Sequence, residues 1–152
     1  MARILITGMS GAGKSTLLAE LARRGVTTVD TDHGGYTIDD RLWHVEKMDA
    51  LLASHDELVV SGTVENQGAF YDRFAAVVLL SAPLGTLLER VRARECNGYG
   101  KTAEQQDDIR RYTAEVEPLL RRNATHELDG RRSVPELADE VERLMCAAGE
   151  AA

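Results

Sequence analysis

The stretch GMSGAGKST, residues 8–16, combines glycines, a lysine and hydroxyls in an order that suits the binding of a triphosphate. It fits the pattern G-x-x-x-x-G-K-[ST] at every fixed position. Glycines let backbone N–H groups surround a polyphosphate, and the N-terminus of a following helix adds a positive dipole end. The motif predicts a nucleoside triphosphate site with these residues: Gly8, Met9, Ser10, Gly11, Ala12, Gly13, Lys14, Ser15 and Thr16.

A second candidate group is a pair of carboxylates, Asp30 and Asp32, in the stretch VDTDHGGY. Residues two apart along a strand point to the same side, so both carboxylates could face one ligand. The residue types suit a metal ion or a substrate hydroxyl. They also suit a simple turn, in which Asp32 is followed by Gly34 and Gly35.

A third group is basic and lies in RVRAR, residues 90–94, ahead of the glycines of NGYGKT. At about 100° per residue, Arg90 and Arg94 lie on one border of the apolar arc of a helix, and Arg92 lies near the other. Phosphoryl transfer needs positive charge on the migrating group, and closure of a glycine-hinged lid over residues 95–102 would supply it and exclude water. The pattern leaves open which cations contact phosphate among Arg90, Arg92, Arg94, Lys101, Arg110 and Arg111.

The elements that must position these groups alternate between short apolar runs and helical patterns, which is typical of an α/β fold with a parallel sheet. The predicted strands are RILITG, VTTVDTD, ELVVSG, AAVVLLSA and THELD. Helices are predicted over 14–24, 41–55 and 83–95, and from Thr102 and Ser133, where capping boxes extend to Gln105 and Glu136. No boundary divides the chain, so residues 1–152 are expected to form a single domain.

Composition excludes several classes of partner. A formal net charge of −7 argues against binding to a nucleic-acid polymer, which needs a basic face. The longest apolar run, FAAVVLLSAPLG, is shorter than the roughly 20 residues that span a membrane. Cys96 and Cys146 have no partner spacing and suit a reducing compartment, and no signal peptide is visible after Met1. We therefore expect a cytoplasmic protein, either a monomer or a homodimer.

Taken together, four features resemble the small P-loop kinases of the nucleoside monophosphate kinase and shikimate kinase superfamily. They are the motif of residues 8–16, called the P-loop below, the Asp30-Thr31-Asp32 segment, the arginines of RVRAR, and the closing strand THELD. These kinases are adenylate-kinase-like, and the resemblance extends to the AAA-family ATPases. It covers nearly the whole chain. It implies a three-layer P-loop NTPase fold, with a five-stranded parallel sheet of order 2-3-1-4-5, helices on both faces and a short lid. It also implies ATP and Mg²⁺ as cofactors.

The resemblance also implies roles for individual residues. Asp30 would hold Mg²⁺ with Ser15, and Lys14 would contact the β- and γ-phosphates. Asp32 would contact the acceptor hydroxyl and take its proton. Among the basic residues, Arg90 would lie near the adenine and Arg94 at the phosphates, while Arg131 lies in DGRRSV, the segment with which these kinases hold the base.

The acceptor pocket departs from that of the shikimate kinases. SGT stands in place of a glycine triplet, and Val116 of VEPLLRR stands where an arginine is expected. A carboxylate-bearing acceptor therefore lacks its usual clamps, and shikimate is disfavoured. The predicted substrate residues are Asp32, Arg41, Gly62 and Arg73.

The sequence thus predicts an ATP-dependent phosphotransferase that moves the γ-phosphoryl group to a small-molecule acceptor. Three alternatives stay open. The chain could be a nucleoside monophosphate kinase, with Arg41 and Arg73 on the acceptor phosphate. It could phosphorylate an antibiotic. It could also be a nucleotide-switched regulatory ATPase without a small-molecule acceptor.

Overall fold

The apolar runs form strands in the structure, a computed structural model that describes residues 2–93 and 102–151. Within these residues the strands are β1 Ala2–Thr7, β2 Thr28–Asp30, β3 Thr37–Ile38, β4 Leu42–Trp43, β5 Glu57–Ser61, β6 Ala76–Ser81 and β7 His126–Asp129. The helices are α1 Lys14–Arg23, α2 Val45–Ser54, α3 Leu84–Ala93, α4 Ala103–Glu115, α5 Glu117–Asn123 and α6 Val134–Ala151. A 3₁₀ helix, Gln67–Arg73, lies between β5 and β6.

A five-stranded parallel sheet, as predicted, organises the described residues. Its order is β2-β5-β1-β6-β7, with β1 hydrogen-bonded to both β5 and β6. These numbers differ from the predicted order 2-3-1-4-5 because the antiparallel hairpin β3–β4, which the sequence analysis did not predict, lies between β2 and β5. In a parallel sheet all strands end at one edge, and the P-loop and the acids of residues 30–32 follow two of these ends.

Helices cover both faces of the sheet and bury two apolar clusters. Ile4 and Ile6 of β1 belong to a cluster that includes side chains of α1 and α6, such as Leu17 and Val141. Leu5, on the opposite face of the strand, belongs to a second cluster that includes Met48, Leu52 and Trp43. The alternation along β1 explains this arrangement, because successive side chains point to opposite faces. The result is three layers.

Two predicted helices differ from the observed ones. The helix expected over 41–55 begins only at Val45, because Leu42 and Trp43 pair with β3 instead. The helix predicted from Thr102 has an apolar stripe that runs from Ile109 through Val116 to Leu119 or Leu120, but the structure divides this segment into α4 and α5 around Val116. Pro118 accounts for the break, since its ring would clash with the carbonyl group four residues earlier in a continuous helix.

The predicted caps of two helices are present. The hydroxyl of Thr102 accepts a hydrogen bond from the amide of Gln105 at 3.1 Å, and that of Ser133 accepts one from the amide of Glu136 at 3.3 Å. The predicted lid, residues 95–102, lies outside the described residues apart from Thr102, as do Arg94 and Lys101. Among the helices that are described, none has the length and apolar character needed to cross a membrane.

Candidate functional site

The loop between β1 and α1 is shaped by glycines. Gly11 and Gly13 have φ values of 86° and 105°, in the left-handed region that residues with a side chain rarely adopt. A Cβ atom on Gly11 would lie 2.7 Å from the carbonyl oxygen of Leu87 in α3, so packing also requires glycine there. The loop therefore wraps closely over the N-terminus of α1, which supplies unpaired backbone N–H groups and a positive dipole end.

Lys14, the first residue of α1, folds back over this loop. Its Nζ donates hydrogen bonds to the carbonyl oxygens of Gly8 and Met9, the latter at 3.2 Å. The ammonium group thus lies at the mouth of the loop, where an anion bound by the loop's N–H groups would contact it. The predicted contact of Lys14 with the β- and γ-phosphates stays a prediction.

A hydrogen-bonded cluster that the sequence analysis did not assign to the P-loop supports its first residue. The Thr63 hydroxyl donates to the carbonyl of Gly8 at 2.7 Å and accepts from the Gly8 amide at 3.1 Å. It also lies 2.9 Å from the Thr7 hydroxyl, which accepts a hydrogen bond from Gln67 at 3.1 Å. Thr63 and Gln67 follow β5, the strand that pairs with β1, and this position in the sequence could have indicated their contacts with Thr7 and Gly8.

The two acids after β2 lie beside the P-loop. The hydroxyl of Ser15 donates to Asp30 Oδ2 at 3.0 Å, so these two predicted metal ligands are in contact. The backbone amide of Asp32 donates to Asp30 Oδ1 at 3.1 Å, which folds the segment back on itself. The described residues contain no group of three or more His, Cys, Asp or Glu side chains placed to hold a metal.

Asp32 differs from Asp30 in its electrostatic environment. Its carboxylate is open to solvent on one side, yet the surrounding protein removes part of its hydration. This desolvation, followed by the negative charge of Asp30, raises the pKa of Asp32, whereas the positive charge of Lys14 opposes the rise. A carboxylate with a raised pKa is a better proton acceptor than an ordinary aspartate.

Arg90 of α3 connects the P-loop to the segment after β7. Its guanidinium donates to the carbonyl oxygens of Gly11 and Ala12, at 3.2 and 3.3 Å, and to that of Gly130, at 2.8 Å. Gly130 is closely packed, since a Cβ there would lie 2.6 Å from the carbonyl oxygen of Ala12. Arg90 therefore links the P-loop to the segment after β7, and its predicted place near the adenine stays a prediction.

Four other arginines predicted for the nucleotide site lie in the described residues, and each is paired with a neighbour. Arg131 forms a bidentate ion pair with Asp129, and this hydrogen-bonded pair lowers the pKa of the aspartate to about 2. It lines a polar cleft of about 540 Å³ at the ends of β6 and β7. Arg92 donates to Gln106 at 2.7 Å. The remaining two pair with acids three residues earlier on the exposed surface of α4: Arg110 with Asp107 and Arg111 with Asp108.

Two predicted substrate residues have other partners. Arg41 is exposed and pairs with Glu65 at 2.9 Å. Gly62 is buried beneath the ring of Trp43, and a Cβ there would lie 2.3 Å from the Thr31 hydroxyl oxygen. Close packing, rather than an open surface for a ligand, thus accounts for this glycine.

The third predicted substrate residue, Arg73, lies at the opposite edge of the sheet. It ends the 3₁₀ helix that leads to the start of β6, and its carbonyl oxygen is 3.5 Å from Nη1 of Arg3, near the start of β1. The Ala75 amide likewise donates to the Arg3 carbonyl at 2.7 Å. The P-loop and Asp32 follow the ends of strands. Assigning Arg73 to the acceptor pocket is therefore inconsistent with its position.

Comparison with known proteins agrees with this geometry. The model of the AAA domain family AAA_18 matches residues 4–112. No curated protein matches the chain. Among solved structures, a shikimate kinase from Acinetobacter baumannii in complex with shikimate is similar with a TM-score of 0.71 and 22% identity, covering 97% of this chain and 94% of that one.

Two further structures with the same fold belong to kinases with other substrates in their names. A sugar kinase from Janibacter, in an unliganded structure, has a TM-score of 0.62 and 18% identity and covers 95% of this chain and 94% of its own. A gluconokinase from Sinorhizobium meliloti has a TM-score of 0.58 and 18% identity, covering 99% and 94%. Because the sequence identities are low, the likeness to these structures establishes the fold alone. The predicted resemblance to the small P-loop kinases is confirmed at the level of the fold.

Proposed function

Because the chain belongs to the AAA domain family AAA_18, we propose that it is an ATP-dependent kinase that phosphorylates a hydroxyl group of a small molecule. The observation that carries this proposal is the position of Asp32. It lies beside the Ser15–Asp30 contact and next to the P-loop, and its pKa is raised. A water-activating ATPase could also use an acid. Here the acids beside the P-loop follow β2, whereas β5 ends in Ser61 and is followed directly by Gly62 and Thr63.

The nucleotide side of the site suits ATP. The loop of residues 8–13 and the N-terminus of α1 would bind the phosphates, with Lys14 at the β- and γ-phosphates. Ser15 and Asp30 offer the oxygen donors that Mg²⁺ prefers, and a bound Mg²⁺ neutralises phosphate charge. Arg90, close to Gly130, would contact the base or sugar.

In the reaction, the acceptor oxygen attacks the γ-phosphorus while the bond between that phosphorus and the β–γ bridging oxygen breaks. ADP leaves, and the proton of the acceptor hydroxyl passes to the Asp32 carboxylate. The raised pKa of Asp32 favours this transfer. Lys14 stabilises the negative charge of the phosphates as the bond breaks. Arg94, which lies outside the described residues, stays a candidate for the same role.

The acceptor is proposed to be a hydroxylated compound without a carboxylate or phosphate near the reacting hydroxyl. Of the predicted clamps in the described residues, Arg41 is paired with Glu65 and Arg73 lies at the far edge of the sheet. Asp32 itself would repel an anion. These placements also argue against a nucleoside monophosphate as acceptor, because its phosphate would need those arginines.

The proposal is tested by screening neutral and amine-bearing alcohols, sugars and antibiotics for ADP release that depends on the added compound. Lys14→Ala serves as the control that loses triphosphate contacts. We expect at least one compound to stimulate ADP release by the native protein and not by the variant. Steady ATP hydrolysis that no compound alters would instead favour the regulatory ATPase.

A further inference from the structure

Thr31, the residue between the two acids, points into the protein and is completely buried. Its hydroxyl donates a hydrogen bond to the carbonyl oxygen of Ser61 at 2.7 Å and accepts one from the indole Nε1 of Trp43 at 2.9 Å. The Thr31 amide donates to the same Ser61 carbonyl at 3.0 Å. A hydroxyl has a single hydrogen, so with its donor used on Ser61, the lone pair that faces Trp43 needs an N–H group.

Trp43 is itself held in place on several sides. Its backbone amide donates to the side-chain oxygen of Asn66 at 2.8 Å, and its carbonyl accepts from the side-chain nitrogen of Asn66 at 3.1 Å. Trp43 is 1% exposed, and its ring meets the ring of Phe70 edge to face, with centroids 5.5 Å apart. The indole N–H is therefore a donor with a fixed position and direction.

The chain of contacts from Trp43 through Thr31 to Ser61 also explains Gly62. A Cβ atom at Gly62 would lie 2.3 Å from the Thr31 hydroxyl oxygen and 3.3 Å from the indole ring. Only glycine leaves room for both groups. The sequence thus provides a donor, an acceptor and the space between them from three separate segments.

We propose that Trp43 is a positioning residue for phosphoryl transfer: through the Thr31 hydroxyl, its indole N–H fixes the segment that carries Asp30 and Asp32. This inference rests on the proposed function of that segment. Thr31 cannot shift without breaking its bonds to Ser61 and Trp43. The flanking acids therefore keep their places relative to the P-loop, where Ser15 meets Asp30 at 3.0 Å. Preorganisation of this kind matters because small displacements of reacting groups cost large factors in rate.

Three variants separate positioning from folding. Thr31→Val keeps the shape and removes the hydroxyl, Trp43→Phe keeps an aromatic ring and removes the N–H, and Thr31→Ser keeps the hydroxyl as the conservative control. With an acceptor from the screen, we expect kcat to fall about tenfold or more in the first two, with the KM for ATP unchanged within about twofold. Thr31→Ser should stay close to the native kcat. Thr31→Val and Trp43→Phe proteins that melt cooperatively and keep the native kcat would overturn the proposal, as would equal losses in Thr31→Val and Thr31→Ser.

A second measurement does not depend on an acceptor. The sequence contains one tryptophan, so the indole N–H gives a single NMR resonance. In Thr31→Val, this resonance should shift, and the Asp32 amide, which bonds to Asp30, should exchange with solvent several-fold faster than in the native protein or in Thr31→Ser. An unchanged Asp32 amide in folded Thr31→Val would refute the positioning role. If the amide responds as expected but no compound accepts phosphate, the proposed function fails and the positioning of the acids stands.

Discussion

The contacts of Arg90 predict that Arg90→Ala loosens the P-loop, whereas Arg92→Ala, two residues later on the same helix, does not. Arg90 joins the P-loop carbonyls of Gly11 and Ala12 to the carbonyl of Gly130. Arg92 is exposed and makes a hydrogen bond to Gln106 at 2.7 Å. Both substitutions remove one positive charge from α3, so a difference between them reports the specific contacts of Arg90.

The magnitude follows from these distances. Hydrogen bonds to a charged group contribute about 1.5–3 kcal/mol each. Of the three made by Arg90, the two to the P-loop are long, at 3.2 and 3.3 Å, and the side chain is half-buried. We therefore expect the free energy of unfolding to fall by about 2–3 kcal/mol in total, which lowers Tm by about 4–12 °C in a domain of this size. Loss of loop order, together with loss of the proposed contact of Arg90 with the base or sugar, should weaken nucleotide binding about tenfold, equivalent to about 1.4 kcal/mol.

Differential scanning calorimetry and titration calorimetry with ADP measure these two quantities. Arg92→Ala should lie within about 0.5 kcal/mol of the native protein in stability, as is usual for exposed positions. Equal melting temperatures and equal ADP affinities for Arg90→Ala and Arg92→Ala would show that the link between the P-loop and Gly130 contributes nothing. The arrangement of the base-binding side would then need another explanation.

Three further predictions concern the surroundings of the site. Gly130→Ala would place a Cβ 2.6 Å from a P-loop carbonyl oxygen. Such overpacking should lower the free energy of unfolding, measured by denaturant titration, by about 1–3 kcal/mol. It should also weaken ADP binding, measured by calorimetry. Arg121→Met leaves the buried Glu117 without its partner at 2.9 Å and should lower Tm by about 2–4 °C, while Arg122→Met, exposed on the same helix, should not. Asp32 must be deprotonated to accept a proton, and its pKa is raised. In a pH profile, kcat/KM should therefore fall as pH drops through that raised pKa, at a higher pH than for an ordinary aspartate. A fall in kcat/KM only at the pKa of an ordinary aspartate would argue against Asp32 as the base.

The elements of the parallel sheet could be predicted from sequence because each strand is a short apolar run and each neighbouring helix has its own periodicity. The hairpin β3–β4 was missed for a specific reason. Leu42 and Val45 continue the helical spacing of α2, but the side chain of Asn66 pairs with both backbone polar groups of Trp43 and holds that residue in a strand. A contact between residues 23 positions apart leaves no local signal.

The candidate site was predictable where motif and strand end coincide, as at Lys14 and Asp30. The positions of site residues were less predictable where they depend on the direction in which the chain runs after a strand. Arg73 is predicted from the sequence as an arginine for the acceptor phosphate, yet the 3₁₀ helix carries it to the opposite edge of the sheet. Gly62 was read as a ligand-facing glycine, although its lack of a side chain is needed for the packing of Trp43.

The central claim is that the γ-phosphoryl group moves to an acceptor hydroxyl with Asp32 as the base. The most direct test follows the reaction by ³¹P NMR with a compound from the acceptor screen, comparing the native protein with Asp32→Asn. We expect a phosphate monoester to form in step with ADP, and the variant to bind ADP normally while its transfer rate falls about 100-fold or more, the usual contribution of a general base. Inorganic phosphate as the product, or a variant that transfers at the native rate, would contradict the claim.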